Sequence, residues 1–170
     1  MNEERFWRII QRSIDESRGS YSDQVELIAN QLQPLSEEEL SSFCQIHETL
    51  RQRANTWELW GAAYVIAGAC SDDEFWHFLG WLICRGHNWF ERALTHPDNL
   101  ADYPEDLKNK IWEFADIPNL ASVSFLDKFG YIPNVDFYVG KGEPTGEPWN
   151  ANDDVFRARW PRLFSKYWKG

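Results

Sequence analysis

No stretch of this chain restricts its architecture more than residues 56–69, TWELWGAAYVIAGA. Wound as a helix, it places Trp57, Leu59, Trp60, Ala62, Ala63, Tyr64, Val65 and Ile66 on nearly every side of its axis and leaves almost no polar face. Such a helix has to be surrounded by other elements. It is too short to cross a bilayer and is interrupted by Gly61 and Gly68, so it predicts the buried centre (57–69) of a soluble fold, with no membrane partner.

The flanking sequence supplies amphipathic helices to do the surrounding. Phe6, Trp7, Ile9, Ile10 and Ile14 form one stripe that stops at Gly19, and Val25, Ile28 and Leu32 form a second that ends before Pro34. Ser36 with Glu39, and Ser71 with Glu74, are capping boxes, in which hydroxyl and carboxylate satisfy the free amides of a helix start. The helices they open carry Leu40, Phe43, Ile46 and Leu50, and Phe75, Phe78, Leu79, Leu82 and Ile83; the latter stops near Gly86. Asp102, Pro104 and Glu105 predict a further start, with Leu107, Ile111, Trp112, Phe114 and Ala115 as its stripe, and Pro118 is expected to separate it from a short segment ending at Gly130. Residues 131–150, with glycine or proline every few positions, predict a loop or small hairpin with a short strand at Val135–Val139. A last helix from Asn152 or Asp153 is divided or kinked at Pro161. The expectation is an all-α single domain over residues 1–170, a bundle of about six to eight helices.

Charge and cysteine content narrow the function. The net charge of −10 excludes a general nucleic-acid binder, which needs clustered lysine and arginine, and suits a basic partner. Residues 1–50 hold 4 basic and 10 acidic side chains, net −6, whereas residues 151–170 hold 5 and 2, net +3, so the basic tail is expected to dock on the acidic body. Cys44, Cys70 and Cys84 are odd in number and form no C-x-x-C pair, and the first residues show no basic segment followed by an apolar run. A reducing, cytoplasmic setting is expected.

The densest group of reactive side chains lies in residues 68–87, GACSDDEFWHFLGWLICRGH. Asp72 and Asp73 follow the cap residue Ser71, where helix polarity favours negative charge; they could also present carboxylates to a partner. Arg85 and His87 flank Gly86 at the other end, as a helix terminus first and as a carboxylate- or phosphate-binding pair second. Cys44-x-x-His47 and Cys84-x-x-His87 could together supply zinc ligands, but the cysteines sit on apolar stripes and read as small core residues, and no metal or other cofactor is expected. His77, four residues after Asp73, reads as structural, since no nucleophile completes a triad. Trp57, Trp60, Trp81 and Trp112 follow apolar periodicity and are expected in the core; Trp149, in the polar loop, is expected to be exposed and available for contact.

The residues from Trp57 to Gly86 resemble the central signature of the bacterial family catalogued as domain of unknown function 4240, together with the opening EERFWRII, the LSEEEL near Leu35, HPDNLA at His96 and WPRLF near the C-terminus. The resemblance covers most of the chain and implies no catalytic residues, because the family offers none to carry over. His87 departs from it, standing where arginine is expected.

Two functional classes follow. One is a non-enzymatic acidic binding protein that contacts a basic protein, for example the immunity partner of a bacterial toxin domain, with Asp72, Asp73, Arg85, His87 and Trp149 as binding residues. The alternative is an enzyme or small-ligand sensor with Asp72, Asp73 and Arg85 in one cleft. The absence of a P-loop, a G-x-S-x-G elbow or a zinc-protease motif weighs against an enzyme, and the sequence leaves the oligomeric state open.

Overall fold

The computed structural model of the chain describes residues 1–110, 117–131 and 142–168, with backbone alone at 109–110 and 117–122. The described residues form ten α-helices, one 3-10 helix and no strand, an all-α architecture. Their order is α1 Glu3–Ser17, α2 Tyr21–Leu32, α3 Glu37–Ala54, α4 Trp57–Ala67, α5 Asp72–Cys84, α6 His87–Thr95, the 3-10 helix Pro97–Asp102, α7 Leu107–Lys110, α8 Ile117–Phe129, α9 Asp153–Arg159 and α10 Pro161–Tyr167.

Most helix starts obey local chemistry legible in the sequence. Asn2, Ser20, Thr56 and Asn152 each accept a backbone N–H of the first turn, and Ser36 and Ser71 form complete capping boxes with Glu39 and Glu74. Helix α4 ends at Gly68, whose φ of 87° lies in the left-handed region that glycine occupies without a Cβ penalty. The helix count exceeds the expected six to eight for two reasons. Trp160 and Pro161 break the last helix into α9 and α10, and Gly86, beyond stopping α5, starts α6 with a positive φ of 88° that glycine adopts without a Cβ penalty.

Two other expectations need correction. Asp102 does not open a helix; it closes the 3-10 helix, and α7 begins at Leu107. Pro118 sits in the first turn of α8, where its missing N–H costs nothing; the segment expected after it is this helix, and residues 111–116 before it lie outside the described residues. The central helix is two residues shorter than 57–69, ending at Ala67. Ile111, Trp112, Phe114, Ala115 and the expected strand at Val135–Val139 lie outside the described residues; residues 142–150 run as a loop with one isolated β-bridge, Thr145 to Thr56.

The core is shared between α4 and α5. Helix α4 buries Leu59, Gly61, Ala62, Ala63, Val65 and Ile66, and α5 buries Phe75 and every residue from Phe78 to Cys84. Helix α1 lies along α2, α3 packs on α5 and α8, and α10 packs on α4 and the 3-10 helix. The basic C-terminal segment docks on the acidic body as its charge pattern suggests. Arg159 pairs with Glu58, Arg162 pairs with Asp102 and its N–H meets Asp98 at 3.1 Å, and Lys166 donates to the Ala101 carbonyl at 3.0 Å. The Arg162 hydrogen bond holds Asp102 below the usual carboxylate range, helped by the neighbouring Arg92. No helix among the described residues is long and apolar enough to cross a membrane.

Candidate binding cleft

The two ends of α5 have different surroundings. Thirteen residues separate Asp72 from Arg85, about 20 Å along the axis at 1.5 Å per residue, so they do not line one cleft. At the far end Arg85 is engaged inside the protein: it donates to Gln24 Oε1 at 2.6 Å and to the Tyr103 hydroxyl at 3.3 Å, and Gln24 in turn donates to the Cys84 carbonyl at 3.0 Å. This network ties α2 to the end of α5. His87 lies on the surface of α6, 5.0 Å from the Trp7 ring and 3.4 Å from Glu91, which Arg53 also engages.

Trp149 is half-buried rather than exposed. Its indole N–H donates to the Trp57 carbonyl at 2.8 Å, and its ring meets Trp57, Tyr64, Phe156 and Trp160 edge-on. It fastens the loop to α4. Cys44, Cys70 and Cys84 are free and buried, and burial pushes each thiol up to about 12. Cys84 is buried while His87 is exposed, and no group of three or more metal-ligating side chains converges among the described residues.

At the first turn of α5 the arrangement opens outward. A cleft of about 230 Å³ is lined by Asn55, Trp57, Trp60, Asp72, Phe75, Trp76 and the loop residues Gly142, Glu143 and Pro144. Asp73 lies exposed on the same turn but is not part of the lining. Trp60 is stacked between Trp57 at 5.3 Å and Phe75 at 5.2 Å, with interplanar angles of 7° and 2°, and its N–H is fixed on the Cys70 carbonyl at 3.0 Å. Trp76 lies against the Arg51 guanidinium, 4.3 Å from its centroid.

Behind Trp76 runs a buried polar row on α3 and its C-cap: His47, Glu48, Arg51 and Asn55. Glu48 and Arg51 pair at 3.5 Å with side chains only 2% and 7% exposed. Burial raises the Glu48 carboxyl, the nearby Arg51 opposing the shift, and burial drives the His47 imidazole down to about 3 with Arg51 adding to the effect. His47 is therefore neutral, and its Nε2 makes no hydrogen bond with the described residues.

The loop wall is clasped to the helices by backbone. Trp57 N–H donates to the Thr145 carbonyl at 2.9 Å, Thr145 N–H donates to the Asn55 carbonyl at 3.0 Å, and Asn55 Nδ2 donates to the Gly142 carbonyl at 2.8 Å. Asn55 is only 9% exposed, and its Oδ1 accepts nothing from the described residues.

Of the five residues singled out from sequence, only Asp72 reaches this cleft. The expectation that Trp57 and Trp60 belong to the core is corrected: both are half-buried, whereas Trp81 is fully buried. Asn55, Trp76 and Glu143 escaped sequence reasoning. Trp76 carried a signal, since it falls beside the Phe75, Phe78, Leu79, Leu82 stripe, between Asp73 and His77 on the polar side of α5.

The fold and this cleft define an acidic, all-helical protein with an aromatic recess at a helix start. The chain belongs to the family described as "Protein of unknown function (DUF4240)", whose sequence model matches residues 1–126. Comparison with curated proteins and with solved structures found no match. The Pro144 wall of the cleft, Trp149, α9 and α10 all lie beyond the matched span.

Proposed function

We propose that this protein is a non-enzymatic binding protein whose acidic surface engages a basic protein partner. One observation carries the reading: the basic side chains are largely consumed within the molecule. Arg5, Arg12, Arg51, Arg53, Arg92, Arg157, Arg159 and Arg162 all stand in carboxylate pairs, and Lys128 is bonded to the carbonyls of Gln33 and Leu35. Acidic residues outnumber basic ones by 27 to 17, and Glu4, Glu26 and Glu38 are among the carboxylates exposed on the surface. Surfaces of one sign steer oppositely charged proteins and select against like-charged ones.

Neutralisation of a bacterial toxin domain is one role of this kind. On this reading the protein works in the cytoplasm, where its three buried thiols stay reduced. The reading is tested by co-expressing the chain with the products of the genes beside its own. The expected result is a complex that co-purifies at low salt, weakens steeply as salt is raised, and relieves any toxicity of the partner. A toxic neighbour whose lethality is unchanged, and which does not co-purify, overturns the immunity role; binding to none of the basic neighbours overturns the wider reading.

A further inference from the structure

We propose that the cleft between α3, α4, α5 and residues 142–144 receives an arginine side chain of the basic partner. The inference rests on the binding-protein reading and names what enters the recess. Size is the first reason. At about 230 Å³ the cleft lies below the roughly 300–1,000 Å³ of pockets that enclose whole small molecules, and it suits a single side chain.

The lining chemistry is the second reason. The half-buried Trp57 and Trp76 border the recess with aromatic surface, while the side-chain acceptors at hand are Asn55 Oδ1 and the Glu143 carboxylate. Asn55 is nine-tenths buried, and its Nδ2 is committed to Gly142, which leaves the Oδ1 acceptor unfilled at the cleft. Glu143 is exposed and has no ion-pair partner among the described residues. Acceptors set against aromatic faces call for a guest that is planar, cationic and rich in N–H donors. That is a guanidinium, which stacks on indole and presents its donors as a rigid fork; an ammonium is a compact, strongly hydrated charge and gains less from flat rings.

Rigidity is the third reason. Trp60 is sandwiched, Trp76 is backed by Arg51, and the loop wall is fixed by four hydrogen bonds, those of Trp57, Thr145, Asn55 and Trp149, so the recess is formed before the guest arrives.

The test uses the full chain and two short blocked peptides that differ only in carrying two arginines or two lysines. Binding is followed by the indole N–H resonances of Trp57 and Trp76 in ¹H–¹⁵N spectra at about 0.15 M salt, where surface charge is largely screened beyond roughly 8 Å. The arginine peptide is expected to shift both resonances, and the lysine peptide to bind about tenfold more weakly. Glu143→Gln, on an exposed loop position that leaves the fold intact, is expected to weaken the arginine peptide about fivefold. Absence of shifts at millimolar arginine peptide overturns the assignment, as do equal affinities for the two peptides or an unchanged Glu143→Gln affinity. A protein complex that forms while the two indoles stay silent overturns the cleft assignment alone. Cleft binding of the arginine peptide without any protein partner overturns the binding-protein reading alone.

Discussion

Helix α4 meets tryptophan on two sides. Against its middle, the Trp160 ring is fully buried and lies so close to Gly61 that a Cβ built there would fall inside the ring's van der Waals envelope. At its N-terminal end, Trp57 and Trp60 are half-buried and border a recess in which Asn55 Oδ1 accepts nothing from the described residues. The same residue type fills space in one place and borders space in the other. What differs is the partner: Trp160 comes from the junction of α9 and α10 and meets a missing side chain, whereas Trp57 meets a loop held to it by backbone hydrogen bonds. The closed junction makes the fold, and the open one is where a ligand has somewhere to go.

The largest expected effect breaks the closed junction. Trp160→Ala removes a fully buried ring and leaves a cavity between α4 and α10, and is expected to cost about 3–5 kcal/mol in denaturant unfolding. Gly61→Ala attacks the same contact from the other side by overpacking, at about 1–3 kcal/mol. In Trp160→Ala under native conditions, the Trp149 indole resonance should move, since its ring touches Trp160, while that of Trp76 should keep its position. If Trp76 moves as far as Trp149, the two regions are one unit and the contrast between them fails.

The next effect concerns what stands behind the cleft. His47 has a folded-state value near 3, against 6.5 for the exposed group, so below pH 6.5 the unfolded chain takes up a proton that the folded chain refuses. Stability contributed by neutral His47 is present above pH 6.5 and is lost as pH falls from there towards about 3. Between pH 6.5 and 5 the loss amounts to about 2 kcal/mol, at about 1.36 kcal/mol per pH unit. Glu48 works in the opposite sense, because its raised value makes the folded chain bind the proton more readily. Glu39, Glu74 and Asp102, all lowered, withdraw their stabilisation only as pH falls through the ordinary carboxylate range. Unfolding free energies measured from pH 7 to 5 for the native chain and His47→Gln isolate the imidazole: the slope should flatten in the variant. An unchanged slope means that His47 does not carry it.

How much of this was legible beforehand follows the same division. Packing elements announce themselves through periodicity and caps, so α1 to α5 and the docking of the basic tail on the acidic body could be read from residue spacing and charge. Helix α6 was missed because Gly86 reads as a stop, although the same glycine at positive φ also serves as the start of the next helix. Gly61 was read as an interruption, when it is the seat of Trp160, a partner about 100 residues away that no local pattern reveals. The cleft was hidden for a related reason. Asn55, Trp76 and Glu143 come from three separate segments, and only the tertiary clasp of Thr145 on Asn55 and Trp57 brings them together. Asp72 was found, but its supposed partner Arg85 sits at the wrong end of a straight helix, where Gln24 and Tyr103 already hold it.

The smallest expected effect sharpens the contrast at a single turn. Ser71 accepts the Glu74 N–H at 3.3 Å, and its own N–H donates to Glu74 Oε2 at 2.7 Å, which also holds the Glu74 carboxyl below its usual range. This box fixes the first turn of α5, and that turn delivers Asp72, Phe75 and Trp76 to the cleft. Ser71→Ala is expected to cost about 1 kcal/mol, the usual cost of losing such a cap. The change should also be local. Amide exchange should quicken in the first turn of α5 and affinity for the arginine peptide should fall, while the amides around Trp160 keep their protection apart from the small global loss. Uniformly faster exchange across both regions would mean that the open side of α4 has no independence from the closed one, and that the cleft is only a gap in the core. Local loosening with weaker binding is what a preformed recess requires, since part of its affinity comes from rings already held in place.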